Sequence, residues 1–268
     1  MKTPECKPIV QPSRHRTATD QFLLSKTDAQ PRKTAAEDSV PHVPPEIMAA
    51  FPHLLYGPAL LEHALARLDG VPVFGAAAVA LDVDLSQETA STKNETARIR
   101  FQVAKAVDQV CQAAGAFWGQ LSDDLFGCFW PARAVQDCQS LADDIQQGLA
   151  QTSTATVTIG IATYPLLDYP QSQILENAIK ALRHAAFFGP GSCTVFDAVS
   201  LNISGDEKYQ AGDIEGAIHE FESGLRLDPA NVNLHNSLGV CFGVLKQFER
   251  AWGEFDPSAG SGTAEYAA

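Results

Sequence analysis

Residues 205–221, GDEKYQAGDIEGAIHEF, and residues 239–255, GVCFGVLKQFERAWGEF, are two copies of one pattern set 34 positions apart. Gly205 returns as Gly239, Ala217 as Ala251 and Phe221 as Phe255, while Gly212-Asp213-Ile214 stands where Lys246-Gln247-Phe248 stands one period later. Small residues and an aromatic in fixed register let two antiparallel helices approach closely and wedge a ring between neighbouring units. The pattern predicts helix pairs over residues 199–256, about one and two-thirds units. The first is closed by Asp228-Pro229 and the second runs out at Asp256-Pro257.

On either side of this repeat the composition changes. Residues 257–268 open with Pro-Ser-Ala-Gly-Ser-Gly-Thr, which reads as a flexible tail unable to complete the broken unit. Residues 1–45 hold seven Lys/Arg against five Asp/Glu, several prolines and one short apolar cluster, Phe22-Leu23-Leu24, which suits a disordered arm. The other 223 residues carry 12 basic against 27 acidic side chains, so the globular part repels nucleic acid. The longest apolar run, Val71–Leu81, is eleven residues, too short to span a bilayer. The first thirty residues lack the apolar stretch of a secretory signal, and a cytoplasmic location is expected. Cys6, Cys111, Cys128, Cys138, Cys193 and Cys241 form no Cys-x-x-Cys pair and read as reduced core residues.

Between arm and repeat, the apolar spacing alternates between helical and strand periods. Leu60, Leu61, Ala64, Leu65 and Leu68 mark a short amphipathic helix, and Phe74 to Asp84 reads as a central strand. Ile99, Val103, Ala106, Val107, Val110 and Cys111 share one face of a helix over 95–114. Strands 116–121 and 125–130, joined by Ser122-Asp123-Asp124, make a hairpin. Helix 132–150, strand 155–163, helix 171–188 and strand 192–197 follow. This order gives an α/β domain over residues 46–198, a mixed sheet of about five strands with flanking helices.

Val157-Thr-Ile-Gly-Ile-Ala-Thr-Tyr-Pro165, Lys180-Ala-Leu182 with Ala185 and Gly189, and Thr194-Val-Phe-Asp197 resemble the C-terminal half of a GGDEF domain, the diguanylate cyclase family. Leu81-Asp82-Val83-Asp84 resembles that family's metal-binding strand. The resemblance covers roughly residues 55–198 and implies a palm-like α+β fold. The 34-residue pattern resembles a tetratricopeptide repeat (TPR), a module whose usual work is holding another protein, so the fold ends in an α-helical TPR hairpin.

What the resemblance implies for activity depends on single positions. The family condenses two GTP molecules, one per subunit of a dimer, with carboxylates holding two divalent cations. Asp82 stands at the place of the first metal carboxylate and Asp124 at the third letter of the signature. Magnesium is expected only if this vestigial site is retained. Asp82 and Asp84 also read as solvated carboxylates at a strand end, and Asp123 and Asp124 as turn residues at a hairpin tip. Ser122-Asp123 replaces the Gly-Gly that admits the nucleotide, and Leu125 replaces the following glutamate. Ala186 and Pro190 replace the lysine and arginine that hold phosphate, and residues 85–92 lack the guanine-reading pair. Ala113–Ala116 replaces the inhibitory Arg-x-x-Asp. Each such loss costs about a hundredfold to a thousandfold in rate, so no enzyme activity and no catalytic residue are expected. Two alternatives remain open: a sensor of GTP or cyclic di-GMP, and a divergent cyclase.

The expected function is a non-catalytic signalling or scaffold protein that binds a protein partner through the TPR module, with a homodimer as a further possibility. The first helix of each unit should line the concave face, which directs Asn202, Asp206, Tyr209, Asn233, Asn236 and Val240 to a ligand. Trp252 stands at the broken end with Phe248 and Phe255. Helix pairs cannot bury their apolar faces alone. Leu225, Leu227, Val240, Val244, Phe248 and Trp252 therefore need cover, and the GGDEF-like domain is the nearest candidate, a second chain or a partner helix the other. His184 is expected at the surface or half-buried.

Overall fold

The computed structural model describes residues 45–82 and 90–255. The arm up to residue 44, Asp84 with its neighbours 83–89, and the tail from 256 lie outside the described residues, and so do the expectations attached to them.

Six strands form one mixed sheet in the order β1-β3-β4-β2-β5-β6. They are β1 (Leu55–Tyr56), β2 (Phe74–Leu81), β3 (Phe117–Ser122), β4 (Leu125–Pro131), β5 (Val157–Tyr164) and β6 (Cys193–Val195). β2 lies between β4 and β5, antiparallel to both, while β1 and β6 add parallel edges beside β3 and β5. The near-continuous apolar run of β2 follows from burial on both faces. Ala77, Val79 and Leu81 enter one core; Phe74, Ala76 and Ala78 enter the other.

Helices α1 (Pro45–Ala50), α3 (Ala90–Ala114) and α4 (Val135–Ala150) cover the first face, through Ile47, Val103, Val107, Ala142 and Ile145 among others. Helices α2 (Pro58–Leu68) and α5 (Ile174–Ala186) cover the second, through Leu60, Ala64, Ile174, Ala178 and Ala181. Gly160 sets how close α5 comes. A Cβ there would collide with the backbone of Leu182 and Ala178, so β5 and α5 pack with almost no side chain between them.

Four helices follow: α6 (Ala198–Gln210), α7 (Ile214–Leu227), α8 (Val232–Val244) and α9 (Phe248–Phe255). Asp197, Asp213 and Asn231 cap the first three by accepting from the backbone N–H of Ser200, Gly216 and Leu234. The register read from the 34-residue period holds in space. Gly205 receives the ring of Phe221, and Gly239 receives that of Phe255, in contacts too close for any side chain on the glycine. Ala217 and Ala251 are both buried between their helices.

The sheet has six strands rather than about five, because β1 is a two-residue parallel edge too short to leave a periodic trace. α1 was likewise not expected. The helix expected from 132 starts at 135, since Ala132 takes φ 54° and Ala134 is extended. The one expected over 171–188 opens as a 3₁₀ turn, Gln171–Gln173, and ends at Ala186.

Candidate functional site

Asp82 follows the last residue of β2, and its carboxylate accepts three hydrogen bonds. Oδ1 accepts from Thr158 Oγ1 at 2.6 Å, and Oδ2 accepts from Thr156 Oγ1 at 2.8 Å and from the Gly191 N–H at 2.7 Å. Its own N–H donates to the Thr156 carbonyl at 3.1 Å. Asp82 thus ties β2 to β5 and to the turn entering β6. The reading of Asp82 as a solvated strand-end carboxylate is corrected here by those three donors.

Asp124 sits at the hairpin tip, where Oδ1 accepts from Ser122 Oγ at 2.7 Å and its carbonyl accepts the Leu81 N–H at 2.9 Å. Below it, the buried Arg100 of α3 lies 3.9 Å from Asp123 Oδ2. Ala186 and Pro190 are exposed at the end of α5, offering a methyl group and a ring where the resemblance calls for phosphate donors. A divalent cation needs several free oxygens. Among the described residues no three His, Cys, Asp or Glu side chains gather so as to hold one, and Asp82 has its oxygens occupied. The described residues alone offer no ligand set for magnesium.

A second constellation joins sheet and repeat. Lys180 of α5 reaches both carboxylate oxygens of Glu220 of α7, at 2.8 and 2.9 Å, with Glu176 at 3.8 Å. Arg183 pairs with Glu207 at 2.9 Å and Arg226 with Asp168 at 2.6 Å. Leu201 of α6 is fully buried in the core formed by α2, α5 and the sheet, and Leu227 packs against that core as well as against the repeat's own. His184 is buried, not half-exposed. Its Nδ1 lies 3.2 Å from Asp197 Oδ1, and Ser200 Oγ donates to the same carboxylate oxygen at 2.9 Å. Serine and aspartate converge on one ring nitrogen and Ser200 is wholly buried, so this group anchors the start of α6 and cannot act as a nucleophile. Sequence reading missed Lys180 and Glu220. The available signal was a lysine within the buried stripe of α5, between Asn177 and His184.

The residues expected on the concave face divide into two sets. Asn202 is 8 % exposed and sits opposite Ser237, whose Oγ donates to Asn202 Oδ1 at 3.5 Å, so its side chain is engaged between α6 and α8. Asp206 and Tyr209 are half-buried, Tyr209 against the repeat core. Burial, reinforced by Glu207, pushes the Asp206 carboxyl up to about 6. Asn233, Asn236, Val240 and Trp252 are exposed.

Cover by the sheet domain extends only to the first unit. Leu227 packs against the sheet domain's core and Leu225 against the repeat's own, while Val240, Val244, Phe248 and Trp252 are open. α9 is held from behind. The Arg250 guanidinium lies 3.8 Å over the Phe242 ring, and His235 Nδ1 is 2.7 Å from Glu254 Oε2.

A family model described as "TPR repeat" matches residues 205–243. No curated protein matches the chain. Among solved structures, the chain is similar to the active GGEEF domain of a diguanylate cyclase from Vibrio cholerae, with a TM-score of 0.43 and 20 % identity over 52 % of this chain and 92 % of that one. It is also similar to the GGDEF domain of DgcB from Caulobacter crescentus in complex with c-di-GMP, with a TM-score of 0.44 and 17 % identity over 51 % of this chain and 85 % of that one. A third likeness is to the diguanylate cyclase SiaD in complex with its activator SiaC from Pseudomonas aeruginosa: TM-score 0.43, 16 % identity, 51 % of this chain. The chain spans 55 % of that cyclase's length. No helix among the described residues is long and apolar enough to cross a membrane. The architecture is a mixed α/β sheet with flanking helices followed by a C-terminal helical repeat.

Proposed function

We propose that this chain is a non-catalytic signalling scaffold of the cytoplasm, a GGDEF-like domain carrying a protein-binding TPR module. The contrast between Asp82 and the repeat carries this reading. The would-be metal carboxylate is spent on Thr156, Thr158 and Gly191, whereas Asn233, Asn236, Val240 and Trp252 stand open. A cyclase working here would have to free Asp82 and find cation and phosphate donors where Leu125, Ala186 and Pro190 stand. The repeat instead exposes amides suited to a peptide backbone and aromatic side chains of the kind that anchor interfaces.

Two measurements test the proposal. Purified protein with GTP and magnesium or manganese should form no cyclic di-GMP above a no-protein blank, and turnover abolished by Asp124→Ala would overturn the non-catalytic half. In cross-linking capture, Asn236→Ala combined with Val240→Glu should lose partners that Asp124→Ala keeps. Equal capture by all variants would remove the repeat as the binding surface.

A further inference from the structure

His235 joins three elements of the repeat through one ring. It stands in the first turn of α8, with Nδ1 2.7 Å from Glu254 Oε2 on α9 and Nε2 3.0 Å from the Pro229 carbonyl in the turn between α7 and α8. Both partners are acceptors. A neutral imidazole has one N–H and one lone pair, so it donates to one of them and turns a lone pair on the other, whereas the imidazolium donates to both. The His235 and Glu254 side chains are only 20 % and 24 % exposed, so water replaces a lost bond poorly.

The surrounding charges leave Glu254 in command of the ring. Arg250, one turn earlier on α9, lies over the Phe242 ring and 3.5 Å from Glu222 of α7. Arg226 of α7 pairs with Asp168, and the Asp228 carboxylate in the turn accepts from Asn231 Nδ2 at 2.9 Å. Asp206 of α6 acts on Cys241, six residues further along α8. The positive end of the α8 dipole opposes a cation in its first turn, and the Glu254 carboxylate offsets it.

We propose that His235 is a pH-sensitive staple: as imidazolium it ties both α9 and the α7–α8 turn to α8, and losing its proton undoes one of the two ties and loosens the second unit. Burial disfavours the charged ring, but the hydrogen bonds to Glu254 and Pro229 and the Glu254 charge outweigh it and raise its pKa above 6.5. The folded chain therefore holds this proton more tightly than the unfolded one. The stabilisation is fully present below pH 6.5 and is lost as pH rises through the ring's higher value in the folded chain. Asn233, Asn236 and Trp252, the open polar and aromatic residues of the repeat, lie on the two helices that the staple holds, so this face is best ordered when His235 is charged.

Long-range proton–nitrogen spectra of the full chain, with the His235 ring assigned through its backbone, read both nitrogens directly. Both should carry protons at about pH 6, and the ring should titrate above the ordinary histidine value of about 6.5. Glu254→Gln keeps an acceptor oxygen but removes the charge, and should lower that titration. Hydrogen exchange of residues 248–255, corrected for its intrinsic pH dependence, reads the consequence. Protection should fall about fivefold between about pH 6 and about pH 8, the worth of one hydrogen bond, and His235→Gln should abolish the fall. A ring that titrates at or below the ordinary value, a titration unmoved by Glu254→Gln, or α9 protection indifferent to pH each overturns the proposal. An equal fall in His235→Gln assigns the pH dependence to another group and overturns it as well. Should His235→Gln fail to fold, the ring spectra of the wild type and of Glu254→Gln decide the matter.

Discussion

Lys180 and Glu220 form a two-pronged ion pair across the junction of sheet and repeat, with side chains only 6 % and 5 % exposed. Removing one member strands the other charge in the interior, at a cost of about 3–5 kcal/mol, whereas replacing both with apolar groups of similar volume is often neutral. Lys180→Met should therefore destabilise the chain by about 3–5 kcal/mol, and Lys180→Met with Glu220→Leu should recover most of the loss. Urea unfolding followed by circular dichroism and by tryptophan fluorescence checks both. If Lys180→Met unfolds at the wild-type midpoint, or the two probes separate in the wild type, the pair does not couple sheet and repeat.

The three donors on Asp82 make it a structural tether rather than a ligand in waiting. Asp82→Ala leaves the Gly191 N–H and two threonine hydroxyls without their charged acceptor, and should cost about 2–4 kcal/mol. Asp124→Ala gives up the Ser122 bond at a turn and should cost about 1 kcal/mol or less. Equal midpoints for the two variants in urea would contradict this ranking.

Asp206 lies half-buried near Cys241 of the neighbouring helix, and its carboxyl is pushed from 3.8 to about 6 by burial and by Glu207. The folded chain holds this proton more tightly than the unfolded one. Stability therefore falls as pH rises from about 4 to about 6 and stays lower above that. Asp206→Asn should stabilise the chain by about 1–2 kcal/mol at neutral pH and by nothing at pH below about 4. Melting the two proteins side by side across this range isolates the effect from that of other carboxylates. A difference independent of pH would mean that packing, not ionisation, separates them.

The sequence carried its periodic features into space and little else. Gly205 meets Phe221 because a recurring small residue and ring report directly on how two helices touch. The hairpin at Asp123-Asp124 and the doubly buried β2 follow from alternation in the same way. The broken second unit likewise announced the open end at Phe248, Trp252 and Phe255, but periodicity says which face is apolar and not what covers it, so the packing of Leu201 and Leu227 into the sheet domain's core could not be read. Asn202, His184, Lys180 and Glu220 are polar types that look like surface in any window, and they are buried only because partners up to 40 residues away satisfy them. The fate of Asp82 was hidden for the same reason, since its donors are 74 to 109 residues distant.

Gly212 and Lys246 occupy equivalent turns one period apart, and both take the left-handed backbone, at φ 84° and φ 59°. Glycine adopts that conformation freely, whereas a side chain there costs about 1 kcal/mol or more. The second unit thus keeps the turn of the first with an unsuited residue. Lys246→Gly relieves that strain but gives the unfolded chain more freedom, so the net gain should be about 0.5–1 kcal/mol. Gly212→Ala, the reverse kind of change in the first unit, should lose about 1 kcal/mol. Both follow from denaturant midpoints of the full chain. A lower midpoint for Lys246→Gly would show that the lysine side chain contributes more to the α8–α9 turn than its backbone strain removes.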